Sequence, residues 1–199
     1  MAPLIATDQS LFLWLNNSLA RPWLDPVMEA ATALGNGFVL FPLGLLLMFL
    51  FAKRNFRRDF VFWASTSFVS FIVGTLLKHI VHRDRPLAAF HARIADHQAT
   101  VHVLGPSLYA NSFPSGHTFT VFSTASLFAG LYPRLAVPLY LTASLTGLSR
   151  IYVGAHFPLD VLGGALVGLL STAIVRRWII PRWREEPAAP RNRNAKPSR

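Results

Sequence analysis

Long uncharged apolar runs, separated by short polar blocks, set the pattern of this chain. No charge occurs from Ala30 to Ala52, although Gly35-Asn36-Gly37 marks a place where that run can bend. Further runs extend from Phe60 to Leu77, from after His117 to Pro133, from Leu135 to Ser149 and, with Asp160 as its single charge, from about Leu159 to Val175. Such segments predict helices that cross a bilayer. Those of some 15 to 16 residues fall short of the roughly 17 that a bilayer demands, so the polar residues at their ends must lie at or just inside the interface. Ahead of the first run, Asp8 to Ala20 mixes Leu11, Leu13, Trp14, Leu15 and Leu19 with Asn16, Asn17 and Ser18. This predicts a short amphipathic helix at the membrane surface, too polar to span. Arg21-Pro22 ends it, and a second helical piece near Leu24 carries Asp25 and Glu29. The expected fold class is all-α: a polytopic membrane bundle of five transmembrane helices plus the N-terminal interfacial helix, with a sixth crossing by residues 8–34 left open.

Composition agrees with this picture. Hydrophobic residues make up 52% and charged residues 14%, and mean hydropathy is +0.39, which leaves too little polar surface for a water-soluble globule. The absence of cysteine removes disulfides, thiolate catalysis and cysteine-ligated metals together. A net charge of +10 would fit nucleic acid if it formed one face. The basic residues sit instead in blocks between apolar runs, and no nucleic-acid partner is expected. Four fall at 53–58, one at Arg134 and eight from Arg176 onward, so five spans put thirteen of the nineteen on one side. The positive-inside rule makes that side cytoplasmic. Residues 1–181 then form a single membrane-embedded domain, with an amphipathic segment at 1–23 and an outer-face loop at 83–112, followed by a basic, disordered cytoplasmic tail at 182–199. The N-terminus lacks a basic n-region, so no signal peptide is expected.

The opposite, outer side receives three polar clusters: Lys78 to Arg85, Ser115 to His117, and Arg150 to Asp160. Ionisable groups at membrane depth are costly and usually functional. In Ser149-Arg150-Ile151-Tyr152-Val153-Gly154-Ala155-His156-Phe157-Pro158-Leu159-Asp160, a helix start at Pro158 places Asp160 one turn from His156. A carboxylate there can hold the imidazole and stabilise the imidazolium formed when it attacks. Lys78 and Arg85 are seven residues apart, two turns on one face if the helix persists, and with Arg150 they suit a phosphate. Pro114-Ser115-Gly116-His117 at a helix start offers the N–H groups of Ser115 and Gly116, a hydroxyl and the positive end of a helix dipole. His117 is then placed to act as a general acid. Each piece has a structural alternative, as interface anchor, N-cap or helix-start carboxylate. Their conjunction on one side points to a site. His79, His82, His91, His97 and His102 have no ligand-set spacing, so neither metal nor other cofactor is expected. Asp84 is expected to pair locally with Arg83 and Arg85.

Lys78-(six residues)-Arg85-Pro86, Pro114-Ser115-Gly116-His117 and Ser149-Arg150-(five residues)-His156-(three residues)-Asp160 together resemble the three-part signature of the type 2 phosphatidic acid phosphatase (PAP2) superfamily. The resemblance covers residues 78 to 160. It implies a metal-independent, vanadate-inhibited phosphatase with an α-helical core. His156 would attack phosphorus, Asp160 would orient it, His117 would protonate the leaving group, and Lys78, Arg85, Ser115, Gly116 and Arg150 would hold the phosphoryl oxygens. The superfamily also holds soluble acid phosphatases and haloperoxidases, but five spans favour a lipid phosphate as partner. An outward-facing site on a small chain resembles the bacterial inner-membrane enzymes that convert undecaprenyl diphosphate to undecaprenyl phosphate. Phosphatidylglycerophosphate, phosphatidate and lipid A phosphates share the same phosphoryl group and remain alternatives. So does an anionic-lipid transporter that performs no chemistry. No obligate protein partner is implied.

Overall fold

The structure, a computed structural model, describes residues 2–51 and 55–178. Lys53, Arg54 and the basic tail at 182–199 lie outside the described residues. Nine α-helices are described: α1 (Ala2–Leu19), α2 (Asp25–Ala33), α3 (Gly37–Phe51), α4 (Phe56–Val81), α5 (Pro86–Ala89), α6 (His91–Ala95), α7 (Gly116–Leu131), α8 (Ala136–Tyr152) and α9 (Pro158–Trp178). Among the described residues, the helical run beginning with α4 and α9 are each long and apolar enough to cross a membrane. The pair α2 and α3, which meet at 70°, qualifies as a third if counted as one broken span. At 16 and 17 residues, α7 and α8 reach only about 25 Å at 1.5 Å per residue, less than the roughly 30 Å hydrocarbon core. Their polar ends are therefore drawn toward the membrane interior.

Helix α7 is the centre of the bundle and packs against α9, α8 and α4. Its closest partner is α9, because Gly164 and Gly168 fall one turn apart on the contacting face. A Cβ at Gly164 would come within 2.7 Å of the Ser115 carbonyl oxygen, and one at Gly168 within 2.7 Å of Ser123 N and 2.8 Å of Phe119 O. These neighbours are main chain and cannot swing aside. Small residues spaced by four let two helices approach where lipid supplies no hydrophobic drive. Between α3, α4 and α7, Met48, Phe62, Trp63, Leu127 and Phe128 form a buried cluster, and Trp63 donates from Nε1 to Thr124 Oγ1 at 3.0 Å.

The N-terminal helix has its polarity reversed relative to a helix on a water-soluble protein. Asp8, Phe12 and Asn16, successive residues four apart, are buried, while Leu4, Ile5, Leu11 and Trp14 are exposed. That inversion suits a helix whose outer face meets lipid. Asn16 Nδ2 donates to the carbonyls of His102, Ile151 and Tyr152, and its Oδ1 accepts from His102 N–H. Helix α2 runs beside the end of α8, where Tyr152 donates its hydroxyl to Asp25 at 2.6 Å and Thr146 donates to the Ala31 carbonyl at 3.0 Å. Both α1 and α2 are thus docked at the end of the bundle that carries Arg150 and Asp160.

If the α7–α9 approach governs the bundle, Gly168→Val should lower the thermal midpoint in detergent, overpacking of this kind costing about 1–3 kcal/mol. Gly37→Ala, where an added Cβ meets nothing within 4 Å, should leave it unchanged.

Candidate active site

Four segments of chain converge at one end of the bundle. Helix α4 carries Lys78 in its last turn and stops at Val81, where His82 adopts a left-handed φ of 46°. The helix therefore does not persist from Lys78 to Arg85, the condition under which the two would have shared one face. Arg85 instead returns from an extended position just before Pro86. Its Nε donates to the Ala110 carbonyl at 2.8 Å and its Nη1 to the Ala155 carbonyl at 3.3 Å, while Lys78 Nζ donates to the Asn111 carbonyl at 2.8 Å. The loop before α7 therefore holds both cations by main-chain carbonyls, whose partial charge leaves the net positive charge intact.

At the start of α7, Ser115 occupies the N-cap position but its side chain does not cap the helix. Its Oγ accepts from Thr118 Oγ1 at 2.9 Å, which leaves the Ser115 hydroxyl hydrogen for another acceptor. Its main-chain N–H donates to the Asp160 carbonyl at 2.9 Å, so that N–H is not free for a phosphoryl oxygen as the sequence had implied. Gly116 opens the helix and His117 follows in the first turn. Gly35 passes the imidazole so closely that a Cβ there would lie 2.5 Å from His117 Cβ. The bend between α2 and α3 thus wraps around His117.

Arg150, buried in the last turn of α8, donates from Nη1 to Thr32 Oγ1. Its Nε is buried with no hydrogen-bond partner among the described residues, which fits a guanidinium that must reach an acceptor from outside the chain. Arg150 and His117 line one cleft of about 400 Å³, with Thr32 and Asn36 beside them and residues 104–108 as a wall.

His156 sits in the turn between α8 and α9, 2% exposed. The i+4 spacing does bring Asp160 to it, yet Nδ1 and Oδ2 are 3.7 Å apart, longer than a direct hydrogen bond. Ser112 stands between them, its Oγ 3.4 Å from Nδ1 and donating to Asp160 Oδ2 at 2.5 Å. A donating Ser112 hydroxyl can accept the Nδ1–H, and that leaves Nε2 as the lone-pair nitrogen. Nε2 lies 3.5 Å from Arg85 Nη1. Asp160 Oδ2 also accepts from Phe157 N–H at 2.8 Å, the backward reach of an N3 carboxylate that secures a helix start. One carboxylate thus caps the start of α9 and also faces the imidazole. Burial pushes His156 down from 6.5 to about 3, against the opposing hydrogen-bond pull of Asp160, and the charges of Arg85 and Arg150 deepen the depression.

Sequence reasoning missed Ser112, Thr32 and Arg83. Ser112 stands three residues before Ser115 in the same polar run and carried a local signal. Thr32 lies near the end of α2, the helical piece that carries Asp25 and Glu29, and had no local signal of its own. Arg83, expected to pair with Asp84, donates instead to Asp160 Oδ1 at 2.7 Å and forms an ion pair with Asp8.

Residues 59–184 match the model of the PAP2 superfamily. An undecaprenyl-diphosphatase, BcrC, of Bacillus subtilis is 32% identical over 149 residues, covering 74% of this chain and 70% of the relative. Phosphatidylglycerophosphatase B of the same organism is 30% identical over 179 residues, covering 79% and 76%. The crystal structure of Aquifex aeolicus LpxE superposes with a TM-score of 0.70 at 34% identity, covering 85% of this chain and 94% of that one. The helical bundle, the three motifs and these likenesses together establish that this chain belongs to the PAP2 superfamily.

Proposed function

We propose that this protein removes the terminal phosphate from a membrane isoprenoid diphosphate, undecaprenyl diphosphate foremost, through a covalent phosphohistidine at His156. The observation that carries the reading is the partner set of the three site cations. Lys78 and Arg85 are held by carbonyls, and Arg150 by one hydroxyl, its Nε without a partner among the described residues. Cations held by neutral partners keep their charge for a phosphoryl group.

In the proposed reaction, Nε2 of His156 attacks the terminal phosphorus while the P–O bond to the prenyl phosphate breaks. His117 supplies the proton to the departing oxygen. Asp160, with Ser112, holds Nδ1–H and offsets the positive charge that develops on the ring. Water then attacks the phosphohistidine and releases inorganic phosphate, with His117 taking the proton back. Lys78, Arg85, Arg150 and the Ser115 hydroxyl contact the equatorial oxygens, and Gly116 allows them to approach α7 closely. No step requires a metal.

An apolar groove of about 310 Å³ supports a lipid substrate. It runs between α3, α7 and α8, lined by Leu34, Leu40, Leu47, Val121 and Leu139 among others. Leu34 borders Gly35, so the groove begins beside His117 and offers a long hydrocarbon chain a path from the site into the bilayer. The basic residues at the other end of the bundle, Arg57, Arg58, Arg134, Arg176 and Arg177, support a cytoplasmic location for that end and an outward-facing site in a bacterial inner membrane.

Phosphate release should be measured in detergent from undecaprenyl diphosphate, phosphatidylglycerophosphate, phosphatidate and a lipid A phosphate. The first should show the highest kcat/KM; a preference for a glycerolipid would redirect the substrate but keep the mechanism. His156→Ala should lose at least about 10³-fold in kcat and His117→Ala about 10²–10⁴-fold. Phosphate release untouched by His156→Ala would contradict the mechanism.

Since the folded protein binds no proton at His156 until about pH 3, while an unfolded histidine takes one near 6.5, acidification through that window should weaken the fold. The ring should therefore stay neutral at pH 5 in a histidine ¹⁵N spectrum assigned by difference with His156→Asn. A midpoint near 6.5 would contradict the burial that keeps the nucleophile ready.

A further inference from the structure

Arg83 is the cation of this region that is bound by carboxylates. It bridges Asp160 Oδ1 at 2.7 Å and Asp8 Oδ2, and its guanidinium lies over the Phe157 ring, 4.3 Å from the centroid. The side chains of both aspartates are buried, at 2% exposure for Asp8 and 0% for Asp160. Asp8 also accepts the main-chain N–H of Leu159 at 2.9 Å, the residue next to Asp160. Asp8 belongs to α1, outside the segment that matches the family model.

We propose that Asp8 is a positioning residue of the phosphatase site, cancelling the charge of Arg83 so that Asp160 remains a net anionic partner for His156. This inference rests on the role assigned to Asp160 above. An arginine facing one buried carboxylate makes a neutral pair, and a neutral pair gives little stabilisation to an imidazolium. An arginine shared by two carboxylates leaves the group at net −1. Arg83 can then fix the Oδ1 side of Asp160 by hydrogen bonding while the Oδ2 side, with Ser112, still presents a negative charge to Nδ1–H. Helix α1 thereby becomes a working part of the site. Phe12, packed with Phe90 and Phe157, and Asn16 dock the helix, and Asp8 supplies the charge.

Single-turnover phosphoryl transfer from undecaprenyl diphosphate should be measured for Asp8→Asn, Asp160→Asn, their double variant, Asp8→Asn with Arg83→Gln, and Asn16→Ala. Asp8→Asn should slow transfer by at least about tenfold, the equivalent of one pK unit of imidazolium stabilisation, with KM little changed. It should add nothing in the Asp160→Asn background, where the anion is already gone. Removing Arg83 from the Asp8→Asn variant should recover part of the rate, because Asp160 regains its net charge.

Asn16→Ala loosens the same helix without altering charge, so it should lower the thermal midpoint and leave the rate of transfer close to wild type. Additive losses for Asp8→Asn and Asp160→Asn would overturn the proposal. So would a further loss when Arg83→Gln is added to Asp8→Asn, or a slowing by Asn16→Ala equal to that of Asp8→Asn. Full turnover in Asp160→Asn would remove the mechanism beneath it as well. Loss in Asp160→Asn beside an unchanged Asp8→Asn would overturn the Asp8 role alone.

Discussion

Everything at the working end of this molecule depends on keeping several like charges close together without neutralising them. Lys78, Arg85 and Arg150 act on one another and on His117 electrostatically, an arrangement that repels itself until an anion arrives. The chain meets that repulsion with neutral dipoles: carbonyls of Ala110, Asn111 and Ala155, and the hydroxyl of Thr32. Carboxylates would have relieved the repulsion more fully, at the expense of phosphate binding. They are reserved for Arg83, one step back from the cleft. Partner type thus sorts the cations: carbonyls and a hydroxyl hold Lys78, Arg85 and Arg150, and carboxylates hold Arg83.

Helix ends do most of the positioning. Lys78 ends α4, His117 begins α7, Arg150 ends α8, and Asp160 begins α9. Because α7 and α8 are too short to fill a bilayer, a membrane-spanning placement draws the ends that carry His117 and Arg150 toward its interior, where electrostatic interactions are strong. The close approach of α9 to α7 through Gly164 and Gly168 brings the Asp160 carbonyl onto the Ser115 N–H, tying the helix that carries His117 to the turn that carries His156. Burial then keeps His156 unprotonated, the state in which an imidazole can attack.

Much of this was legible in the sequence, and the limits have physical causes. Uncharged runs marked the helices and abrupt polarity marked their ends, since a bilayer imposes length and composition together. Pro158 signalled the start of α9, and with it the His156 to Asp160 spacing. Whether the helix continued from Lys78 to Arg85 was not legible, because His82, an ordinary residue in the sequence, adopts a left-handed conformation that only the fold imposes. Asp8, Thr32 and Arg83 could not be assigned from the chain because each acts on a partner far away in sequence. The buried face of α1 was hidden for a further reason. Its leucines and Trp14 draw attention, yet in contact with lipid the polar Asp8 and Asn16 are the residues that point inward.

The most direct test of the account is to catch the covalent intermediate. After a single turnover with undecaprenyl diphosphate labelled at its terminal phosphate, an alkaline quench that preserves phosphohistidine, followed by peptide mass spectrometry, should place the label on His156. Label on another residue, or turnover with no covalently bound phosphate at any time point, would contradict the account.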